Sequence, residues 1–517
     1  MAEKIKKDLH FVYFKCNDVK YIYQRKKVII MSCTTILVGS KASYDGSTMI
    51  ARNDDGFFDV KKLIVVDPKK QPRKYKSVIS HLEIELPDNP LSYTCSPNVD
   101  KKEGVWAAAG INSENVGMTA TETITSNARV LGSDPLVRYE KATSKKEKDK
   151  IGGIGEEDLV VLVLPYIHSA KEGVLRLGEL IEKYGTYESN GVAFNDEKEI
   201  WWFESIGGHH WIARRVKDEE YIIMPNQFGL DRFDLKDAFS ERKENMCSKD
   251  LKEFIKDNHL DTNNDGEFNP RLIFGSHDDQ DHVYNTPRAW YMARYFNPRS
   301  FIWNGENADF TPESDDIPWA LVPEHKITVE DVKYILSSYY QGTEYNPYSS
   351  TTSDKKGMYR SIGIARTGFM SINQIRPYLP DEIKAIEWIC FGPNPFNVVI
   401  PFYTKTSSMP KYVSEVKTDV DSNNFYWISR LIGALTDPCY ASSIQVIDRY
   451  QNEVAAKSHE IINKYDKKMI TENNYSYITE ANDEICKMAK KLATKTLNEV
   501  LLNASKNMKC NYNRSDN

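Results

Sequence analysis

Several things are missing from the 517 residues. No apolar run reaches the ~18 residues that would read as a membrane-spanning helix. No C-x-x-C occurs, and no cysteine or histidine cluster has zinc spacing, so a structural metal site is not expected. Charge is nearly balanced, with 68 Lys and Arg against 74 Asp and Glu and a net charge of −6. That balance gives no reason to expect nucleic acid or a membrane surface as a partner. There is no internal repeat and no long low-complexity tract, and the 40% hydrophobic and 27% charged content is that of a globular chain.

What is present includes eight scattered cysteines, Cys16, Cys33, Cys95, Cys247, Cys390, Cys439, Cys486 and Cys510. Widely spaced in a long chain, they read as free thiols in a reducing compartment, which points to the cytoplasm. The basic stretch Met1–Lys7 begins like a secretory signal, but Asp8 and His10 interrupt it, the apolar part Leu9–Phe14 is short, and no small-residue cleavage site follows. Residues 1–32 are expected instead to be a leader, either a propeptide or an extension upstream of a start at Met31.

Local patterning predicts a strand over Cys33–Val38 (CTTILV), turn residues through Gly39–Gly46 and a returning strand over Ser47–Arg52, together a hairpin. Further strands are predicted at Gly104–Ala109, Val116–Thr121, Gly191–Phe194, Glu199–Glu204, His210–Arg214 and Tyr221–Met224. Helical spacing marks Leu159–Ile167 and Val174–Tyr184, with Gly185 as a cap and Glu156–Glu157–Asp158 as acids that complement the helix dipole. From about Ala441 to Asn507 the chain reads as helix. Strands followed by helices, without strict βαβ alternation, predict an α+β layered fold. The organisation expected is a leader over 1–32, a main domain over 33–440 and a helical region over 441–517 packed on it.

A cysteine at the leading end of a strand is ordinary unless the chain begins at it. Then a free α-amine, with a pKa of about 7.7–8.0, lies within reach of the thiol and can take its proton, and the thiolate can attack a carbonyl to give an acyl-enzyme. Ala51–Arg52–Asn53–Asp54–Asp55, just after the hairpin, adds a cation that would lower the thiol pKa and a carboxylate, Asp55, that would hold or orient the terminal amine.

CTTILVGSKASYDGSTMIARNDDG resembles the start of the peptidase C69 dipeptidases, to which the secernins are also similar. The resemblance continues through GVWAAAGINSENVGMTATETI, GIGEEDLV, YGTYESNGVAFND, ESIGGHHWIARR, NTPRAWY and FGPNPFNVVIPFYT, in order and over about residues 33–500. It implies an N-terminal nucleophile hydrolase: a four-layer αββα sandwich, removal of the leader by self-processing between Ser32 and Cys33, and hydrolysis of the peptide bond of dipeptides with neither metal nor cofactor. By the same resemblance Cys33, Arg52, Asp55, Asn226 (in IIMPNQF) and Arg288 (in PRAW) inherit catalytic roles, with Asn226 donating to the oxyanion. Where the related acylases carry an asparagine this chain has Glu122, which would pair with a substrate's α-ammonium and favour unblocked peptides. Two other readings stay open: an amidohydrolase of N-acyl amides, and a secernin-like protein of uncertain catalytic role. The expected partners are small peptide substrates, with association of further copies of the chain left open.

Two tempting features carry less. Asp261–Gly266 begins like a calcium loop, but its twelfth position is Leu272, not the bidentate Glu. His209 and His210, adjacent on a strand, would point to opposite faces and not ligate a metal together.

Overall fold

The β-branched run after Cys33 forms strand β1 (Thr34–Val38), paired antiparallel with β2 (Thr48–Asp54). Gly46 closes the connection at φ 83°, a left-handed value suited to glycine, and the Asp45 carboxylate accepts from Ser47 N at 3.0 Å. The structure, a computed structural model, describes residues 33–508 except 57, 58, 121, 145 and 265, and not the side chains of Glu103 and Glu122. The expected leader, with Cys16, and Cys510 lie outside the described residues.

Strands β3 (Ile64–Val66), β4 (Lys74–Lys76), β5 (Glu83–Glu85) and β6 (Tyr93–Cys95) form two ribbons, β3–β6 and β4–β5. The others are β7 (Ala109–Ile111), β8 (Gly117–Thr119), β9 (Glu122–Thr123), β10 (Asn190–Asn195), β11 (Ile200–Ile206), β12 (His210–Val216), β13 (Tyr221–Met224), β14 (Asn245–Cys247), β15 (Ala320–Leu321), β16 (Phe369–Ile375), β17 (Ala385–Phe391) and β18 (Ile400–Tyr403). One sheet runs β15-β13-β1-β2-β16-β17-β18; the other runs β14-β12-β11-β10-β8-β7, with β9 also on β10. Neighbours in both are antiparallel, so the chain is a mixed α and β protein built on antiparallel sheets.

The helices that matter here are α1 (Leu159–Val163), α2 (Ala170–Tyr184), α3 (Thr286–Phe296), α4 (Val329–Leu336), α5 (Phe425–Thr436), α6 (Tyr440–Glu472) and α7 (Ile478–Lys506). The expected helical C-terminal region is present as α6 and α7. Helix α1 stops short of Ile167 because Pro165 turns its end into a 3₁₀ segment, Leu164–Tyr166. Helix α2 starts earlier than its apolar spacing suggests, because Ser169 caps Glu172 N, and it ends at Gly185 with φ 71°.

Strand alternation sorts the side chains between cores. Ile36, Val38, Met49 and Ala51 join a cluster with Met292, Val332, Ile335 and Ile447 of the helices. Leu37 and Ile50 join another with Ala193, Trp202 and Ile212 of the second sheet. On the second sheet Val192, Phe194, Trp201 and Phe203 pack with Val174, Leu177 and Ile181 of α2. Each such burial stabilises by roughly 1.5–3 kcal/mol. A one-residue slip of β2 would exchange both of its faces, so its register is tightly held. Trp201 and Trp202 are therefore core residues.

Two expectations need correction. Of the predicted Gly104–Ala109 strand only Ala109 pairs, as the first residue of β7, since Gly104 at φ 110° and Trp106 at φ 48° turn the chain out of extended geometry. His209 and His210 do not diverge: His209 lies in the turn before β12, and the Nδ1 atoms of both rings meet the Asp134 carboxylate, at 2.9 and 2.7 Å.

Candidate active site

The β1–β2 register sets Arg52 opposite Thr35, two positions in from Cys33 and so on the same face, and antiparallel partners share a face of the sheet. Arg52 is buried and Cys33 fully so. Arg52 Nη2 donates to Cys33 Sγ at 2.9 Å and also to the Glu156 carboxylate, while Nη1 donates to Ala108 O at 3.1 Å. Asp54 lies 3.6 Å from the same Nη2, and its second oxygen takes an ion pair from Lys61 Nζ at 2.8 Å. Burial opposes the Arg52 charge, but Cys33, Glu156 and Asp54 outweigh it and hold the guanidinium protonated well above its ordinary range. Burial likewise opposes the Asp54 charge, and Lys61 and Arg52 overcome it. A donating guanidinium against sulfur favours thiolate over thiol.

Cys33, Asp54 and Glu156 offer donor atoms within 4.8 Å of one another, a set that could ligate a metal ion. The Arg52 guanidinium already meets all three, which supplies the positive charge such a cluster needs.

A second arginine approaches Cys33 from the helices. Arg288, in the first turn of α3 and fully buried, donates through Nη1 to Cys33 O and to Thr34 Oγ1, the latter at 2.7 Å. Its Nη2 donates to Asn226 Oδ1 at 2.8 Å and to Asn285 Oδ1 at 2.6 Å, and Nε donates to Tyr284 O at 2.6 Å. Asn226 sits two residues beyond the end of β13, and its Nδ2 donates to Thr123 O at 2.9 Å. Cys33, Arg52, Asn226 and Arg288 are thus joined by direct bonds.

Asp55 goes elsewhere. Its carboxylate accepts from Thr367 Oγ1 at 2.6 Å and forms an ion pair with Arg360, and its carbonyl accepts from Arg366 Nη1 at 3.3 Å. Glu122 pairs through its backbone with Gly191, and its side chain lies outside what is described.

Glu156 is the residue that sequence patterning misread. The run Glu156–Glu157–Asp158 does not serve a helix dipole; it turns three buried carboxylates toward three separate partners. Glu156 takes Arg52, Glu157 accepts from Ser77 Oγ and from Val78 N and Ile79 N at 2.8–2.9 Å, and Asp158 accepts from Tyr75 Oη at 2.8 Å. Glu156 N in turn donates to the Glu188 carboxylate at 2.7 Å. Burial and Glu157 push Asp158 up to about 7, and burial and Glu156 push Glu188 up to about 8. Nothing local to GIGEEDLV signals this, because Arg52 lies 104 residues upstream of Glu156.

A buried cysteine at a strand start, between two arginines and backed by acids, defines a candidate thiol centre. The model of Peptidase family C69 matches residues 32–453. Among similar proteins, "Dipeptidase" of Bifidobacterium longum is 55% identical over 85% of this chain and 83% of its own length. "Probable dipeptidase A" of Streptococcus pyogenes is 49% identical over 95% of this chain and 100% of its own, and "Dipeptidase A" of Lactobacillus helveticus is 44% identical over 84% and 88%. The chain belongs to peptidase family C69 and is a peptide hydrolase.

Proposed function

We propose that the chain is a dipeptidase acting through an acyl-enzyme on Cys33, once removal of residues 1–32 makes Cys33 the N-terminus. The observation that carries this reading is the Arg52 guanidinium at 2.9 Å from Cys33 Sγ, set there by the hairpin register. The printed names of the similar proteins and the family match starting at residue 32 support it.

In this reading an acylated Cys33 nitrogen cannot act as a base, so the Ser32–Cys33 bond must be cut first. The freed amine takes the thiol proton and Sγ bonds to the peptide carbonyl carbon. The carbonyl electrons move to oxygen, and Asn226, exchanging its bond to Thr123, donates to that oxyanion together with nearby backbone N–H groups. Collapse breaks the C–N bond, and the leaving amine carries away the proton held by the Cys33 amine. Water, deprotonated by the same amine, then cleaves the thioester. Arg52 favours the thiolate, Arg288 fixes the Cys33 carbonyl and Asn226, and Asp55 orients the freed amine only by exchanging a bond to Arg360 or Thr367. Glu122 pairs with the α-ammonium of an unblocked substrate.

The order of packing, helices on one sheet, that sheet on the other and α2 behind it, supports reading the fold as the αββα sandwich, with 33–440 as the hydrolase domain and 441–517 packed on it. Six free cysteines among the described residues support a reducing compartment and hence a cytoplasmic location.

The test is product analysis on a panel of free dipeptides, N-acetylated dipeptides and N-acyl amides. Hydrolysis confined to free dipeptides is the expected result. Preference for N-acyl amides would replace this reading with the amidohydrolase one.

A further inference from the structure

Helix α3 carries Arg288 at its start, and its far end lines something else. A cleft of about 520 Å³ opens there, walled by Tyr291, Tyr295, Phe301, Trp303 and Tyr334 with Arg294 beside them. That volume lies within the roughly 300–1,000 Å³ of small-molecule sites. Arg294 stands six residues beyond Arg288, about 9 Å further along the axis and about 120° around it, so the cleft and the thiol centre are separate.

The walls are mostly aromatic. Tyr295 and Tyr334 lie with centroids 5.1 Å apart, and Phe301 and Trp303 at 5.6 Å. The polar ends of two rings are already engaged: Tyr295 Oη donates to Asp331 at 2.8 Å and Trp303 Nε1 to Asn297 O at 2.8 Å. Tyr295 and Tyr334 are each 37% exposed and Ile302 is 53% exposed, which is a large apolar surface for one place. Arg294 is half-buried, and its guanidinium lies over the Trp290 ring, 5.4 Å from the centroid. Among the described residues its guanidinium meets no carboxylate and donates no hydrogen bond.

We propose that this cleft binds an aromatic carboxylate, its ring between the aromatic walls and its carboxylate on the edge of the Arg294 guanidinium. The guanidinium sits over the Trp290 ring and meets no carboxylate among the described residues, so its N–H groups suit the bidentate geometry that carboxylates offer. A single cation suits one carboxylate rather than a phosphate, and aromatic walls suit a planar apolar group. The ligand is either a free aromatic amino acid or the C-terminal aromatic residue of a peptide; both share this chemistry. The inference does not depend on Cys33 catalysis.

Calorimetric titration of the full chain, as wild type and as Cys33→Ala, tests it with 3-phenylpropionate and with the uncharged 3-phenylpropan-1-ol. Equal binding of the carboxylate by both proteins is expected, with at least a tenfold loss for the alcohol and for Arg294→Gln. Ile302→Glu, at an exposed position that tolerates a polar side chain, is expected to repel the carboxylate and weaken it at least tenfold as well. Retained peptide hydrolysis by Arg294→Gln checks its fold. With Cys33→Ala, tighter binding of N-acetyl-glycyl-phenylalanine than of phenylalanine assigns the site to peptide C-termini, and the reverse assigns it to the free amino acid. No binding, equal binding by Arg294→Gln, or equal binding of the alcohol overturns the proposal. Self-association that Arg294→Gln abolishes, without carboxylate binding, overturns it too and makes the cleft a contact between copies.

Discussion

Arg52 Nη2 lies 2.9 Å from Cys33 Sγ, and the antiparallel register Thr35↔Arg52 is what puts it there. The same guanidinium neutralises Glu156 and faces Asp54, so one side chain ties the hairpin, the loop before α1 and the thiol together.

Arg52→Met is expected to destabilise the fold by about 3–5 kcal/mol, because it leaves the buried Glu156 carboxylate without the Arg52 charge. Arg52→Lys keeps a charge but not the planar fork that reaches Sγ, Glu156 and the Ala108 carbonyl at once. Denaturant unfolding and kcat/KM on a dipeptide separate the two effects: Arg52→Lys loses mainly kcat.

Glu156→Gln removes a negative charge beside the thiol and releases Arg52 Nη2 from its ion pair with Glu156. Both changes favour the thiolate, so the midpoint pH of Cys33 alkylation by iodoacetamide is expected to fall. A midpoint that stays in place or rises would mean that Glu156 is not part of the thiol's electrostatic surroundings.

Much of the centre of the first sheet is legible in the sequence. Thr34–Val38 is rich in β-branched residues and bounded by turn residues, and the sequence bounds Tyr221–Met224 to the residue. Arg52 follows from its place after the hairpin as well as from resemblance, whereas Asn226 and Arg288 rest on resemblance alone. Glu156 and Arg360 were missed, since their partners Arg52 and Asp55 lie 104 and 305 residues away and no local period encodes such pairings. Gly104–Ala109 was over-read as a strand because its apolar composition masks the positive φ values at Gly104 and Trp106.

Glu188 gives a pH signature. Its folded carboxyl sits near 8 against an ordinary 4.5, so the folded state binds the proton more tightly. That stabilisation is complete below about pH 4.5 and is lost as the pH rises through about 8. Asp158, near 7, acts in the same direction. Glu188→Gln is therefore expected to reduce the fall in urea midpoint between about pH 5 and about pH 9. An unchanged pH dependence would show that Glu188 is not held protonated.

Asn226→Ala is expected to lower kcat by about 10²- to 10³-fold with little change in KM, as for removal of an oxyanion donor. A purely structural role through Arg288 and Thr123 would instead show in the unfolding midpoint, with kcat changed far less.

The most direct measurement is intact-mass analysis of the purified full chain alongside Cys33→Ala, each also assayed on dipeptides. The expected result is a wild type that has lost residues 1–32 and is active, and a Cys33→Ala protein that keeps them and is inactive. A wild type that stays full length yet hydrolyses dipeptides would contradict the role given to the Cys33 amine and thiol.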